Sequence, residues 1–250
     1  MLPVVFQADP GTSWAGSIAA CMEYPHNRPY TADDLVRIIT LLRDPVNGCP
    51  WDKVQTHTSI RMNFLEEAYE AVDALDLDDP VLMCEELGDV LMQVAFHTCM
   101  EQETGRFTWE QVCDGVCQKL IERHPNIFGT QPGYEGITDW DALKNKEKGR
   151  RTLADDLESV PRAMPALMRA AKLQKRAARH GAALQGADAA ALADAAENLQ
   201  TAQPASAQAE QAVGELLFAA ANLARQAGVN PEQALQKANE AFCTATGPVA

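Results

Sequence analysis

No lysine or arginine stands between Arg61 and Arg106, yet Glu66, Glu67, Glu70, Glu86 and Asp89 all fall in that interval. Exposed acidic helices usually interleave a cation at i+4, so this is not the pattern of an ordinary solvated face. Other absences narrow the field. Aromatics make up only 6% of the chain and β-branched runs are short, which disfavours sheet. Ala, Leu, Glu and Gln dominate instead, and these favour helix. No apolar run approaches the ~20 residues of a helical membrane span. The seven cysteines (Cys21, Cys49, Cys84, Cys99, Cys113, Cys117 and Cys243) are odd in number and contain no C-x-x-C. Cys113 and Cys117 share a helix face, but no second pair lies close enough to complete a four-ligand zinc site. They read as reduced core residues, and a cytoplasmic location is expected. Residues 1–28 hold no lysine or arginine before Arg28. They read as an N-terminal extension rather than a signal or transit peptide. The net charge of −14 argues against a nucleic-acid partner. A nucleotide substrate is still allowed, because bound cations invert the local field.

The chain is long enough for one large domain or two small ones. A helix is expected after Thr31, with Leu35, Ile38, Ile39 and Leu42 as its apolar face. The segment Arg43 to Pro50 holds two prolines and a glycine and reads as a loop. Helices then follow over about 59–75, 81–102 and 109–123, the second with Leu87, Leu91, Val94, Ala95 and Phe96 as apolar positions. The acidic residues form two clusters, E-E-x-x-E at 66–70 and E-x-x-D at 86–89. At i, i+3 and i+4 spacing each cluster makes one stripe on its helix. Between them lies the turn Asp76-Leu77-Asp78-Asp79-Pro80. Glu70 and Glu86 are equidistant from Asp78, and so are Glu67 and Asp89, so an antiparallel pair brings the stripes level. Like charges at that range repel, and a divalent cation between them is the economical remedy.

An Ala-rich second half follows Pro161 and Pro165 and carries a faded repeat. Leu87-Gly88-Asp89-Val90-Leu91 recurs as Val213-Gly214-Glu215-Leu216-Leu217, and Glu110-Gln111 as Glu232-Gln233. Glu86 aligns with Ala212, Glu66 with Ala193, and Lys119 and Arg123 with Ala241 and Ala245. An active first copy and a structural second copy are expected.

These motifs together resemble the MazG-type nucleoside triphosphate pyrophosphohydrolases. The resemblance rests on Gly48-Cys49-Pro50-Trp51-Asp52, Gln55-Thr56, the two acidic clusters, Lys119, Arg123-His124-Pro125, Phe128, Trp140 and Lys144. It resumes weakly at Pro165-Ala166-Leu167 and at Gln236-Lys237-Ala238-Asn239. It implies an all-α helical bundle of two MazG-like repeats, the second degenerate. The expected organisation is an extension at 1–28, a catalytic module at 29–130, a linker with a basic segment at 131–160, and a degenerate module at 161–250. The resemblance also implies cleavage of a nucleoside triphosphate to the monophosphate and pyrophosphate with Mg²⁺, Mn²⁺ being a substitute. A homodimer or higher homo-oligomer is implied as well, and neither nucleic acid nor membrane is an expected partner.

In that frame Glu66 or Glu67, with Glu70, Glu86 and Asp89, are the expected metal ligands. Glu67 is favoured as the carboxylate that accepts the attacking water's proton, and Glu70 is placed with it in the catalytic set. Lys119 and Arg123, spaced i, i+4, are assigned to the outer phosphates; an exposed basic pair at a helix end is the bland alternative. Lys144 is a further phosphate contact, set against a merely solvated basic run. Trp51 either stacks on a base or anchors its loop, and Asp52 and Lys53 close the pocket mouth. Two rival readings fit the residues less well. A di-iron bundle needs Glu-x-x-His pairs, and Glu23–His26, interrupted by Pro25, is the sole instance. A catalytically weak nucleotide-binding or regulatory module fits the second half but not the intact first.

Overall fold

Side-chain caps decide where the helices begin. The computed structural model describes residues 23–26, 28–125, 127–129, 143, 145 and 147–247. Thr31, Thr56 and Thr108 each accept a hydrogen bond from the backbone N–H three residues on. In each case that third residue's side chain returns a bond to the cap, closing a capping box. These boxes open α1 (Ala32–Leu42), α2 (His57–Leu77) and α4 (Trp109–Arg123). α3 (Pro80–Glu103) is opened by the Asp79 carboxylate, which accepts from the Val81 and Leu82 N–H groups, with Pro80 at its first position. Asp78 closes α2 at φ 53°, in the left-handed region that Asp tolerates better than most residues. The turn therefore falls where the sequence puts it.

The chain divides into two compact units, Met1–Gly136 and Ile137–Ala250. In the first, α2 and α3 run antiparallel: His57 meets His97, Glu67 meets Gln93, and Glu70 meets Glu86. The core lies at the other end of α3, where Ile39, Ile60, Ala95, Phe96, Cys99, Met100 and Trp109 pack together. Leu35, Val36, Met92, Val94 and Cys113 border it. This differs from the expected apolar faces. Leu87 and Leu91 stay exposed, because α3 turns its Ala95–Met100 segment, not its first turns, toward α1 and α4. Leu42 is likewise exposed at the end of α1.

The loop after α1 is tied down by one side chain. Arg43 is buried and forks onto Glu103, with Nε–Oε1 at 2.5 Å and Nη2–Oε2 at 2.8 Å. Its Nη1 donates to the carbonyls of Asp52 and Gln55, and its guanidinium lies over the Phe96 ring. A planar five-donor head is suited to such a hub.

The second unit contains α5 (Leu153–Glu158), α6 (Ala166–Arg179), α7 (Ala189–Thr201), α8 (Ala207–Gln226) and α9 (Pro231–Thr246). Residues 153–158 fall within the expected linker, yet they form a helix packed on α6. The reason is Asp156, which is buried and paired with Arg176, Arg179 and His180. Gln174 donates to the Phe218 carbonyl, joining α6 to α8, and Asn222 donates to that of Ala187, just before α7. The described residues contain helices and turns and no strand. No helix among them is long and apolar enough to cross a membrane.

Candidate active site

Along α2, Ile60, Glu67, Ala71 and Ala74 share the stripe that faces inward, with Glu67 half-buried among them. Adjacent helix positions differ by about 100°, so Glu66 points elsewhere and is exposed. The phase of the helix thus turns Glu67, and not Glu66, toward α3. On α3, Glu86 is buried although it sits in the first turns, because it lies under the α2 stripe.

Carboxylate oxygens of Glu67, Glu70 and Glu86 all lie within 4.8 Å of one another. Among the described residues this is the group whose spacing suits a metal ion. Asp89 stands one turn beyond Glu86 and acts on the group through its charge. Burial pushes the Glu67 carboxyl above its ordinary range, and the charges of Asp89, Glu70 and Glu86 push it further. A bond from Gln93 Nε2 at 3.5 Å pulls slightly the other way. Burial also raises Glu86, followed by the charges of Glu70, Asp89 and Glu85 and a hydrogen bond with Glu70. The Oε2 of Glu86 is buried without a hydrogen-bond partner. A buried carboxylate oxygen left in that state is unfavourable unless a cation meets it.

Trp51 is half exposed, with its ring edge-on to Phe96 at 6.5 Å between centroids. One side is thus anchored and the other is open to solvent. Lys53 reaches the Pro45 carbonyl at 3.4 Å, a contact within its own loop. Lys119 is exposed on α4, and Arg123 at the end of that helix is half-buried. Lys144 lies outside the described residues. Gln93, which meets Glu67, and Arg43, which ties down the loop that carries Trp51, stand in no motif of the sequence. The i+4 series Asp89, Gln93, His97, Glu101 was the available signal.

The second unit offers a contrast. α7 and α8 pack on each other as α2 and α3 do. Ala212, aligned with Glu86, is also buried, but carries no ligand. A cavity of about 620 Å³ between α7 and α8 is lined by Asp194 and Glu215, with Ala191, Ala195, Gly214 and Phe218. Glu215 is held by Gln211 at 2.8 Å.

Residues 55–128, which span both acidic clusters, match the family described as the MazG nucleotide pyrophosphohydrolase domain. The chain is 41% identical over 219 residues to a nucleoside triphosphate pyrophosphohydrolase of Escherichia coli, covering 84% of this chain and 83% of that protein. It is 38% identical over 212 residues to the nucleoside triphosphate pyrophosphohydrolase/pyrophosphatase MazG of Thermotoga maritima, covering 84% and 82%. A nucleoside triphosphate pyrophosphohydrolase of Mycobacterium tuberculosis is 35% identical over 151 residues, 59% of this chain and 46% of that one.

Proposed function

The chain belongs to the MazG nucleotide pyrophosphohydrolase family, and we propose that Glu67, Glu70, Glu86 and Asp89 form the centre of its reaction. It hydrolyses nucleoside triphosphates to the nucleoside monophosphate and pyrophosphate. The observation that carries the site assignment is the convergence of three carboxylates around a partnerless buried Glu86 oxygen. An all-oxygen, anionic donor set fits Mg²⁺, with Mn²⁺ as substitute. Magnesium held by Glu67, Glu70 and Glu86, with Asp89 in support, supplies neutralisation of phosphate charge and a more acidic water. Without such a cation these carboxylates would repel a triphosphate.

The remaining roles belong to the chain itself. Glu67 accepts the proton of the water whose oxygen attacks the α-phosphorus, and its raised proton affinity suits that task. Gln93 orients the Glu67 carboxylate through its amide. The α-phosphorus bond to the bridging oxygen breaks, and pyrophosphate leaves with that oxygen. Lys119 and Arg123 steady the departing phosphates, joined by Lys144. The open side of Trp51 stacks on the base, and Lys53 stands beside it at the mouth. The second unit is a degenerate copy of the first, a reading supported by Ala212 at the place of Glu86. The six described cysteines are unpaired, which supports a reducing cytoplasm.

Product identity tests the reaction. With Mg²⁺ and a panel of triphosphates, pyrophosphate and monophosphate are expected in equal amounts, and none in EDTA. Orthophosphate as the first product would mean that another bond is cut. We also propose that the chain forms a homodimer, since Val72 and Leu75 on α2 and Val81, Leu87 and Leu91 on α3 are exposed apolar side chains. Sedimentation should give twice the 27.2 kDa chain mass, and a monomer at micromolar concentration would refute this.

A further inference from the structure

Beyond the carboxylates, the seam between α2 and α3 continues as a second polar group. His57 Nδ1 and His97 Nδ1 lie 2.7 Å apart, with ring centroids 5.0 Å apart and ring planes only 6° from parallel. His57 Nε2 lies 2.5 Å from Oε1 of Glu101, which is buried and also bonded by Arg106 at 2.7 Å. Phe64 sets its ring against His97 at 5.8 Å. Asp89, Gln93, His97 and Glu101 follow one another at i+4 along α3, and His57, Phe64, Glu67 and Glu70 face them from α2. One continuous seam therefore carries the carboxylate group at one end and the histidine pair at the other.

We propose that His57 and His97 are positioning residues: their Nδ1–Nδ1 hydrogen bond fixes the register of α2 against α3, and so holds Glu67 and Glu70 level with Glu86. This deepens the metal-site reading above and rests on it. The geometry demands it to be a directional bond. One Nδ1 carries a proton and donates; the other is bare and accepts. The Glu101 carboxylate beside His57 Nε2 favours, through its charge, the tautomer that carries the proton on that nitrogen. Apolar packing at this point would resist separation of the helices but tolerate sliding along the seam. A short bond between two ring nitrogens resists sliding too. Burial, and then the charge of His57, hold the His97 imidazole below its ordinary range. The groups facing the pair are Glu101 and Arg106, with Phe64 apolar beside them.

Three variants test this in the full chain, with Mn²⁺ binding without nucleotide as the readout and circular dichroism as the fold check. His97→Asn keeps a polar atom near the Nδ1 position and should bind Mn²⁺ within threefold of the parent. His97→Phe and His57→Phe keep an aromatic ring but lose the bond, and each should bind Mn²⁺ on the order of 10-fold more weakly, the lower end of what lost support around metal ligands produces. A purely packing role predicts the reverse order, with His97→Phe the milder change. Either folded Phe variant binding normally, or His97→Asn binding as poorly as the Phe variants, overturns the proposal. Glu70→Gln is the control. If it binds Mn²⁺ normally the metal-site reading itself fails; if it loses binding while the Phe variants do not, only the register role fails.

Discussion

Glu67→Gln lowers kcat by about 10²–10⁴-fold, the range expected when a positioned general base is removed. Glutamine keeps the shape of the side chain and can still meet the Gln93 amide, so the fold survives. It cannot take a proton from water. The effect should fall on kcat more than on KM, because the proton is transferred only in the transition state. Glu66→Gln provides the contrast. Glu66 is exposed and points about 100° away from Glu67, and its loss should leave kcat within about twofold. Steady-state kinetics at saturating Mg²⁺ checks both. Equal losses at Glu66 and Glu67 would show that the phase of α2 has been misread.

Removing divalent cations should lower thermal stability at neutral pH, and the size of the effect should depend on pH with a defined sign. Glu67 and Glu86 have folded-state proton affinities raised above those of the unfolded chain. The native state therefore binds more protons than the unfolded state across that range, and these two groups make stability fall as pH rises through it. Their penalty is fully present at neutral pH and disappears in acid. A cation relieves it where protons no longer do. At about 100 times its Kd, Mg²⁺ should add about 2.7 kcal/mol, which for a chain of this size is about 5–10 °C in Tm. The Mg²⁺-induced shift should shrink toward acid, since metal and protons compete for the same oxygens. Glu86→Gln should raise Tm in EDTA at neutral pH and lose the response to Mg²⁺. Calorimetric scans over a pH series measure all of this. A Mg²⁺ shift that grew toward acid would contradict the assignment.

The arrangement of the first unit was legible because several local signals agree. Thr31, Thr56 and Thr108 cap helices where apolar periodicity begins. Asp78, Asp79 and Pro80 place the turn that sets Glu70 against Glu86. Other features needed the third dimension. α3 is apolar on more than one side, so the sequence does not say which stripe becomes core; Phe96, Cys99 and Met100 do, and Leu87 and Leu91 do not. Glu66 and Glu67 are told apart only by the phase that Ile60, Ala71 and Ala74 impose. That phase was readable in principle, since those three positions and Glu67 recur at helical spacing. His57 and His97 carry no motif of their own, and their meeting depends on the register of two helices. The six residues of α5 are too few for a periodic signal, and its buried Asp156 finds Arg176 and Arg179 only after folding. Lys144 falls in a stretch where the structure describes only scattered residues.

The most direct measurement is anomalous diffraction from crystals grown with Mn²⁺ and a non-hydrolysable nucleoside triphosphate. A manganese peak bridging the oxygens of Glu67, Glu70 and Glu86 to the triphosphate is the predicted result. Manganese elsewhere, with these three side chains turned apart into solvent, would contradict it.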